Sequence, residues 1–316
     1  MPITVVGSIA YDSVKTPFGE RERMLGGAAV HFALAACFFD EVRVVGPVGA
    51  DFGEDDMEVM RGRGVEVSDV ERIAGGRTFF WRGEYGWDLN TRETLDTQLG
   101  VFEGFRPKLS ERSRASEVLF LANIQPELQR EVRAQLPHAS FVALDSMNLW
   151  IETAREELLA AIAEVDCVIL NDAELRQLTG RPNLLSAARE VLSWQPATEA
   201  LRGPSVIVAK QGEYGAALVT REGFFALPAY PLESVIDPTG AGDTFAGGLV
   251  GYIAANGGGG GEISDQLLRA AMAHATVLAS FNVEEFGTER LQRLAREEIA
   301  SRLQELRAMT QFSGSP

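Results

Sequence analysis

The sequence predicts an α/β protein in three layers, α/β/α, with a mostly parallel central sheet and a small β-sheet lid. Three observations carry that expectation. Short β-rich runs alternate with helix-period segments along most of the 316 residues, the pattern that builds a parallel sheet covered on both faces. Apolar residues make up 46% of the chain, enough for one large core with a smaller attachment. Residues 72–103, RIAGGRTFFWRGEYGWDLNTRETLDTQLGVFE, break the alternation and read as antiparallel strands rich in aromatic and Thr residues.

Taken in order, ITVVGSIA (3–10) is the first strand, and GAAVHFALAACFF (27–39), apolar on nearly all sides, is a buried helix. VRVVGPVG (42–49) is a strand again. DFGEDDMEVMRGRG (51–64) starts acidic and ends at glycine, as the helix dipole and capping rules favour. The pattern resumes with strands at 117–124, 140–146, 166–171 and 204–210, and helices at 126–136, 151–165 and 172–180. Two short strands follow, YGAALVT and GFFALPA, and then three helices over 239–256, 263–281 and 288–306. Gly257–Gly261 reads as a flexible connection and 311–316 as a disordered tail. The main domain is expected to comprise 1–11, 26–71 and 104–310, and the lid 12–25 and 72–103. A lid would cover the carboxyl ends of the strands, where ligands bind in such folds. An edge extension of the main sheet is the other reading.

Charge and composition exclude several functions. The formal net charge is −16 with no concentrated basic patch, so nucleic acid is not an expected partner. No run of about 18 apolar residues occurs, and the N-terminus lacks the basic flank of a signal peptide. Cys37 and Cys167 sit in apolar surroundings without motif spacing and read as core residues. A cytoplasmic location is the expectation. His31, His138 and His274 show no metal-ligand spacing, and no P-loop signature is present.

Residues 237–248 read DPTGAGDTFAGG. A helix N-terminus has unpaired N–H groups and a partial positive charge, and glycines let the backbone approach an anion closely. Gly240, Ala241, Gly242 and Asp243 could form an anion hole, with Asp243 accepting a proton from an attacking hydroxyl. As an isolated motif, Asp243 could equally be a helix cap beside a tight turn. Asn171 and Glu174 stand three apart at a strand-to-helix junction, where a carboxylate can hold magnesium through water. The same spacing also makes a helix cap. Lysine occurs only at 15, 108 and 210, and Lys210 ends an apolar strand, where a cation could meet phosphate.

These stretches together resemble the ribokinase, or PfkB, family of carbohydrate and nucleoside kinases, over nearly the whole chain. GSIAYDSV, GGAAVHFALA, NDAE, KQGEYG and DPTGAGDTFAGG each resemble a family segment. The resemblance implies a ribokinase-like fold, ATP and Mg2+ as cofactors, and room for a monovalent cation. It implies Asp243 as base with Gly240, Ala241 and Gly242 as the anion hole. It places Asn171, Glu174, Lys210, Gly212, Gly215, Thr239 and His274 on the nucleotide side, with Glu174 and Asn171 at the metal. It places Asp12, Gly26, Gly27 and His31 on the acceptor side, where His31 stands at a position often occupied by asparagine. Arg82, Asn123, Asp145 and Asn148 are further acceptor-side candidates, near the lid or strand ends.

On the lid, Phe79, Trp81 and Tyr85 share one face at period two, with Arg82 on the other. If those rings face the cleft they suit stacking on a base, which favours a nucleoside. Packing within the lid is the alternative. The expected function is ATP-dependent phosphorylation of a hydroxyl on a nucleoside or sugar-like alcohol. A sugar or inositol kinase, a vitamin kinase and a non-catalytic nucleotide-binding regulator are the competing readings. The expected partner is a small molecule, with no membrane, and the protein a monomer or a homodimer joined through lid edges.

Overall fold

Alternating apolar residues within each strand decide how the central sheet is covered. A computed structural model describes residues 1–196, 203–257 and 263–311. In chain order its strands are β1 (Ile3–Val6), β2 (Ala10–Thr16), β3 (Gly19–Gly26), β4 (Val42–Gly49), β5 (Val70–Ile73), β6 (Phe79–Tyr85) and β7 (Arg92–Gln98). They continue with β8 (Val118–Leu121), β9 (Phe141–Asp145), β10 (Cys167–Asn171), β11 (Val206–Lys210), β12 (Ala216–Thr220) and β13 (Phe224–Leu227). Among the described residues they form a nine-stranded sheet, β13-β12-β11-β10-β9-β8-β1-β4-β5, and a four-stranded one, β3-β2-β6-β7.

From β11 across to β5 the large sheet is parallel, and β12 and β13 turn back antiparallel at one edge. Phe120 of β8 stacks on Phe32 at 4.2 Å on one face. That face carries the helices Ala28–Ala36, Ala241–Asn256 and Asp265–Asn282. Leu119 and Leu121 join Val132 and Leu158 on the other face, under Pro126–Gln135 and Arg155–Ile162. The expected three-layer arrangement is therefore present. Gly247 and Gly248 let the three helices of the first layer approach closely. A Cβ on Gly247 would strike the Phe32 carbonyl, and one on Gly248 would lie 2.8 Å from the Ala275 Cα.

Several expected elements are divided differently. The run 3–10 is split between the sheets: β1 ends at Val6 and β2 begins at Ala10. The expected 151–165 helix breaks at Ala154, where φ is −143°, into Asn148–Thr153 and Arg155–Ile162. The expected 288–306 helix is Glu289–Arg293 followed by Arg296–Thr310. Glu298 there accepts the Ala295 N–H at 3.0 Å, which starts a fresh helix. Leu184–Leu192 is a helix the sequence reading left unassigned, capped by Asn183, which accepts the Ser186 N–H at 3.0 Å. Of the expected tail and Gly257–Gly261 connection, 312–316 and 258–262 lie outside the described residues. No helix among the described residues is long and apolar enough to cross a membrane.

In the small sheet β2 pairs antiparallel with β3 and parallel with β6, and β7 runs antiparallel to β6. Its hairpin end meets the main sheet's far side. Asn90 donates to Glu213 Oε1 at 3.3 Å, and a Cβ on Gly212 would lie 3.0 Å from Asn90 Oδ1.

Candidate active site

Adjacent parallel strands bring their last residues to one space. Asp145 ends β9, Asn171 ends β10 and Lys210 ends β11, with Ile169 in register with Asp145 and Asn171 with Lys210. Lys210 Nζ stands 3.1 Å from Asp145 Oδ2, and the two side chains are 18% and 7% exposed. Burial alone would lower the Lys210 pKa, but the carboxylates of Asp145, Glu174 and Asp243 outweigh it and hold the ammonium above its ordinary value. A Cβ on Gly242 would come within 3.0 Å of that ammonium. The missing side chain is what lets a cation lie beside the start of the helix Ala241–Asn256.

The loop before this helix is held from several sides. Gly240 takes a left-handed φ of 75°, which glycine tolerates. Asp237 accepts the Thr239 N–H and the Gly287 N–H, each at 2.9 Å. The Ala241 N–H closes onto the Pro238 carbonyl at 3.2 Å. Of the three residues expected to form an anion hole, Ala241 therefore has its amide turned into the loop. The amides of Gly242 and Asp243 belong to the first helical turn, which has no acceptor four residues back. Asp243 is partly buried. Burial pushes its carboxyl up to about 7, Asp145 adds to the shift, and Lys210 opposes it.

Asn171 and Glu174 form a reciprocal helix cap. Asn171 Oδ1 accepts the Glu174 N–H at 2.7 Å and Glu174 Oε2 accepts the Asn171 N–H at 2.8 Å. One lone pair of the Asn171 oxygen is thus used by the cap, and Glu174 keeps its second oxygen. Burial raises the Glu174 carboxyl to about 7, against the pull of Lys210. Among the described residues no three acidic, His or Cys side chains could hold a metal on their own. A single hard oxygen donor in a strongly anionic cluster fits magnesium, which keeps several waters and is bound through one or two carboxylates plus phosphate.

The small sheet supplies the opposite wall. Asp12 is 6% exposed and lies against Gly26, where any Cβ would collide with its carboxylate. Burial pushes the Asp12 carboxyl up to about 7, with the charges of Asp237 and Asp243 adding to it. Asp12 and Asp243, which are 231 positions apart in sequence, thus face one site. Gly27, in the N-cap position of Ala28–Ala36, has φ 95°. Tyr85 accepts a hydrogen bond from Thr239 Oγ1 at 3.2 Å. With Trp81 it packs in a cluster with Val14 and Phe286, and Phe79 lies against Phe102 at 5.7 Å. Packing of the rings within and under the small sheet, the alternative reading, thus accounts for much of this face.

Arg92 is the residue that sequence reasoning missed. It pairs with Tyr85 across β6 and β7, which puts it on the same inward face. Its guanidinium carbon lies 5.4 Å over the Trp81 ring. Its positive charge acts on Asp12, Tyr85, Glu174 and Asp243. Only the β6–β7 register, with a bulge between Arg82 and Gly83, reveals this, and no local motif announces it.

Five expected residues have other surroundings. Arg82 points to the outer face, where it pairs with Glu20 and Glu22, because the inward face of β6 belongs to the aromatic residues. His274 bonds the Ala270 carbonyl at 2.9 Å and stacks on Tyr252 at 4.0 Å, so it packs helix on helix. His31 is 1% exposed and sits behind Gly240, closed off from the cleft. Asn123 accepts the Trp150 indole N–H at 2.9 Å and so holds the 148–153 turn. Asn148 is exposed at the start of that helix. Gly212 and Gly215 flank the short turn after β11.

Comparison with known proteins gives this arrangement a context. The model of the pfkB family carbohydrate kinases matches residues 3–293. A cytidine kinase of Thermococcus kodakarensis is 29% identical over 259 residues, covering 80% of this chain and 88% of that protein. The structure of a Burkholderia thailandensis nucleoside kinase in complex with inosine superposes with a TM-score of 0.74 at 21% identity, over 96% of this chain and 98% of that one. That of an adenosine kinase from Sinorhizobium meliloti gives 0.76 at 17% identity, over 96% and 98%. These structures share the ribokinase fold seen here.

Proposed function

The chain belongs to the pfkB family of carbohydrate kinases, and we propose that within it this protein phosphorylates a hydroxyl of a nucleoside, with ATP as donor. The convergence of Asp12 and Asp243 beside a glycine-rich helix start carries the reading. Asp12 accepts hydrogen bonds from the acceptor's hydroxyls and fixes its pose. Asp243, held near 7, takes the proton of the attacking hydroxyl, and a base poised near working pH is the effective one. The amides of Gly242 and Asp243 and the Lys210 ammonium stabilise charge on the transferring phosphoryl group. Magnesium, held by Glu174 with water and donor phosphates, would neutralise charge on those phosphates.

The small sheet acts as the lid over this chamber, with Arg92 on its inward face. Trp81, stacked with Arg92, offers a flat surface suited to a base. The 29%-identical cytidine kinase supports the nucleoside preference. The open edges of β3 and β7 suit a monomer or a lid-joined homodimer.

The test is ADP release with Mg-ATP against nucleosides, pentoses, hexoses and inositols, run beside Asp243→Asn, with potassium compared against sodium. Nucleoside turnover that the variant loses is the expected result. Turnover of a hexose or inositol alone would reassign the acceptor. Binding of ATP without turnover of any acceptor would favour a regulator.

A further inference from the structure

Behind the phosphate-side loop lies a buried polar cluster that the reaction above does not use. Its centre is Asn282, the last residue of the helix Asp265–Asn282 and 0% exposed. Asn282 Nδ2 donates to the Thr239 carbonyl at 2.7 Å. Its Oδ1 therefore faces the other way and acts as acceptor. It takes the Thr244 hydroxyl at 3.0 Å and the His31 Nδ1 at 3.0 Å. One amide thus ties together the helix Ala28–Ala36, the first turn of Ala241–Asn256 and the loop at Thr239.

The hydrogen-bond inventory settles the His31 tautomer. An amide oxygen only accepts, so His31 must donate from Nδ1. Its Nε2 is left as a buried lone pair with no partner. The ring lies flat behind the loop: a Cβ on Gly240 would run into it. Gly240 is the residue at φ 75° on which the loop turns into the helix. His31 thus props the turn by its ring and anchors Asn282 by its N–H.

Resting on the kinase reading, we propose that His31 and Asn282 are positioning residues for phosphoryl transfer. They fix the angle at which Gly242 and Asp243 meet the transferring group, and His31 makes no contact with the acceptor. This reverses the side of the reaction on which His31 acts. An acceptor-binding histidine governs acceptor KM, whereas a prop behind the loop governs kcat. Small displacements of a positioned group are enough for that, because near-attack geometry tolerates little error.

Two readouts separate the possibilities. In Asn282→Ala and His31→Phe, kcat should fall at least tenfold while acceptor KM stays within about twofold. His31→Gln, which restores an N–H donor, should recover part of that loss. A rise in acceptor KM at unchanged kcat would overturn the proposal, as would unchanged values of both. The second readout needs no activity: amide hydrogen exchange over 239–244 should quicken in Asn282→Ala while β8 to β11 stay protected. Exchange unchanged from wild type in that segment would overturn the clasp. Faster exchange in a protein that phosphorylates no acceptor would leave the clasp standing and remove the kinase reading. Thr244→Val, which deletes one bond and keeps the shape, covers the case in which the larger changes do not fold.

Discussion

The floor and the roof of the site are built by opposite means. The floor is the turn from Asp237 to Asp243, held by its own carboxylate, by Gly287 and by Asn282. Asp237 and Thr239 are bonded on several sides, and the helix behind the turn is buried from Thr244 to Gly251. The roof is the inward face of β6 and β7, where Arg92 is exposed and, among the described residues, is ion-paired to no carboxylate. A turn tied by several hydrogen bonds holds one geometry; an exposed strand on a four-stranded sheet can move. Under the proposed function the difference becomes a division of labour, in which the floor would fix the reacting groups and the roof would bring charge and apolar surface to them.

Removing the floor's base should have the largest effect. Asp243→Asn is expected to lower kcat roughly 10³-fold, within the range for a general base. The same change should stabilise the ligand-free protein. Asp12 and Asp243 have folded-state pKa values raised from 3.8 to about 7. Such carboxyls stabilise the fold when protonated, and that contribution is complete below about 4 and lost as pH rises through about 7. Asp243→Asn removes one of these buried charges. A gain on the order of 1–3 kcal/mol at pH 8, absent at pH 4, should be seen in denaturant melts. A variant that loses activity and also loses stability at pH 8 would place Asp243 in a structural role.

Arg92→Ala breaks the roof. Without its guanidinium the lid brings no cation over the site, and kcat should fall roughly 10- to 100-fold, less than a lost base because Lys210 and the helix start remain. Arg92→Lys should restore only part, since a point charge replaces a planar fork. A loss confined to acceptor KM would move Arg92 from the phosphate to the acceptor.

The acid limb of the pH–rate profile joins the two regions. Asp243 must be ionised to take a proton, so kcat should drop about tenfold per pH unit below its pKa near 7. Arg92 lowers that pKa and Asp145 raises it. The limb should therefore shift to higher pH in Arg92→Ala. A limb in the same place in both proteins would mean that the lid stands open when the proton moves.

The two regions were also unequally legible in the sequence. The floor could be read because its chemistry is contiguous: an aspartate six residues before another, glycines between them, and a helix after. Lys210 and Asp145 could be placed because strand ends converge in a parallel sheet. Arg92 could not, because its direction depends on how β7 pairs with β6 across a bulge, which no local pattern records. His31 and Asn282 lie far apart in the chain, and a histidine in an apolar helix gives no sign of whether it looks toward the cleft or behind it. Asn171 was legible as a cap and as a ligand, and the geometry shows the cap formed.

The smallest expected effect concerns the contact through which roof meets floor. Asn90 donates to Glu213 at 3.3 Å, and its side-chain oxygen lies over Gly212, on the turn after Lys210. The contact is exposed and long, so its hydrogen bond is worth less than about 1 kcal/mol. Under the proposed lid action the contact would belong to the closed arrangement, so its loss should shift the lid equilibrium and little else. Asn90→Ala is expected to lower kcat/KM for the acceptor by about two- to fivefold, with the melting temperature unchanged. Gly212→Ala should act in the same direction and more strongly, since a Cβ there would press on Asn90 Oδ1 at 3.0 Å and the residue has φ 57°. If Asn90→Ala instead matches wild type while Arg92→Ala is crippled, the arginine reaches the site without the hairpin contact, and the roof closes on the ligand alone.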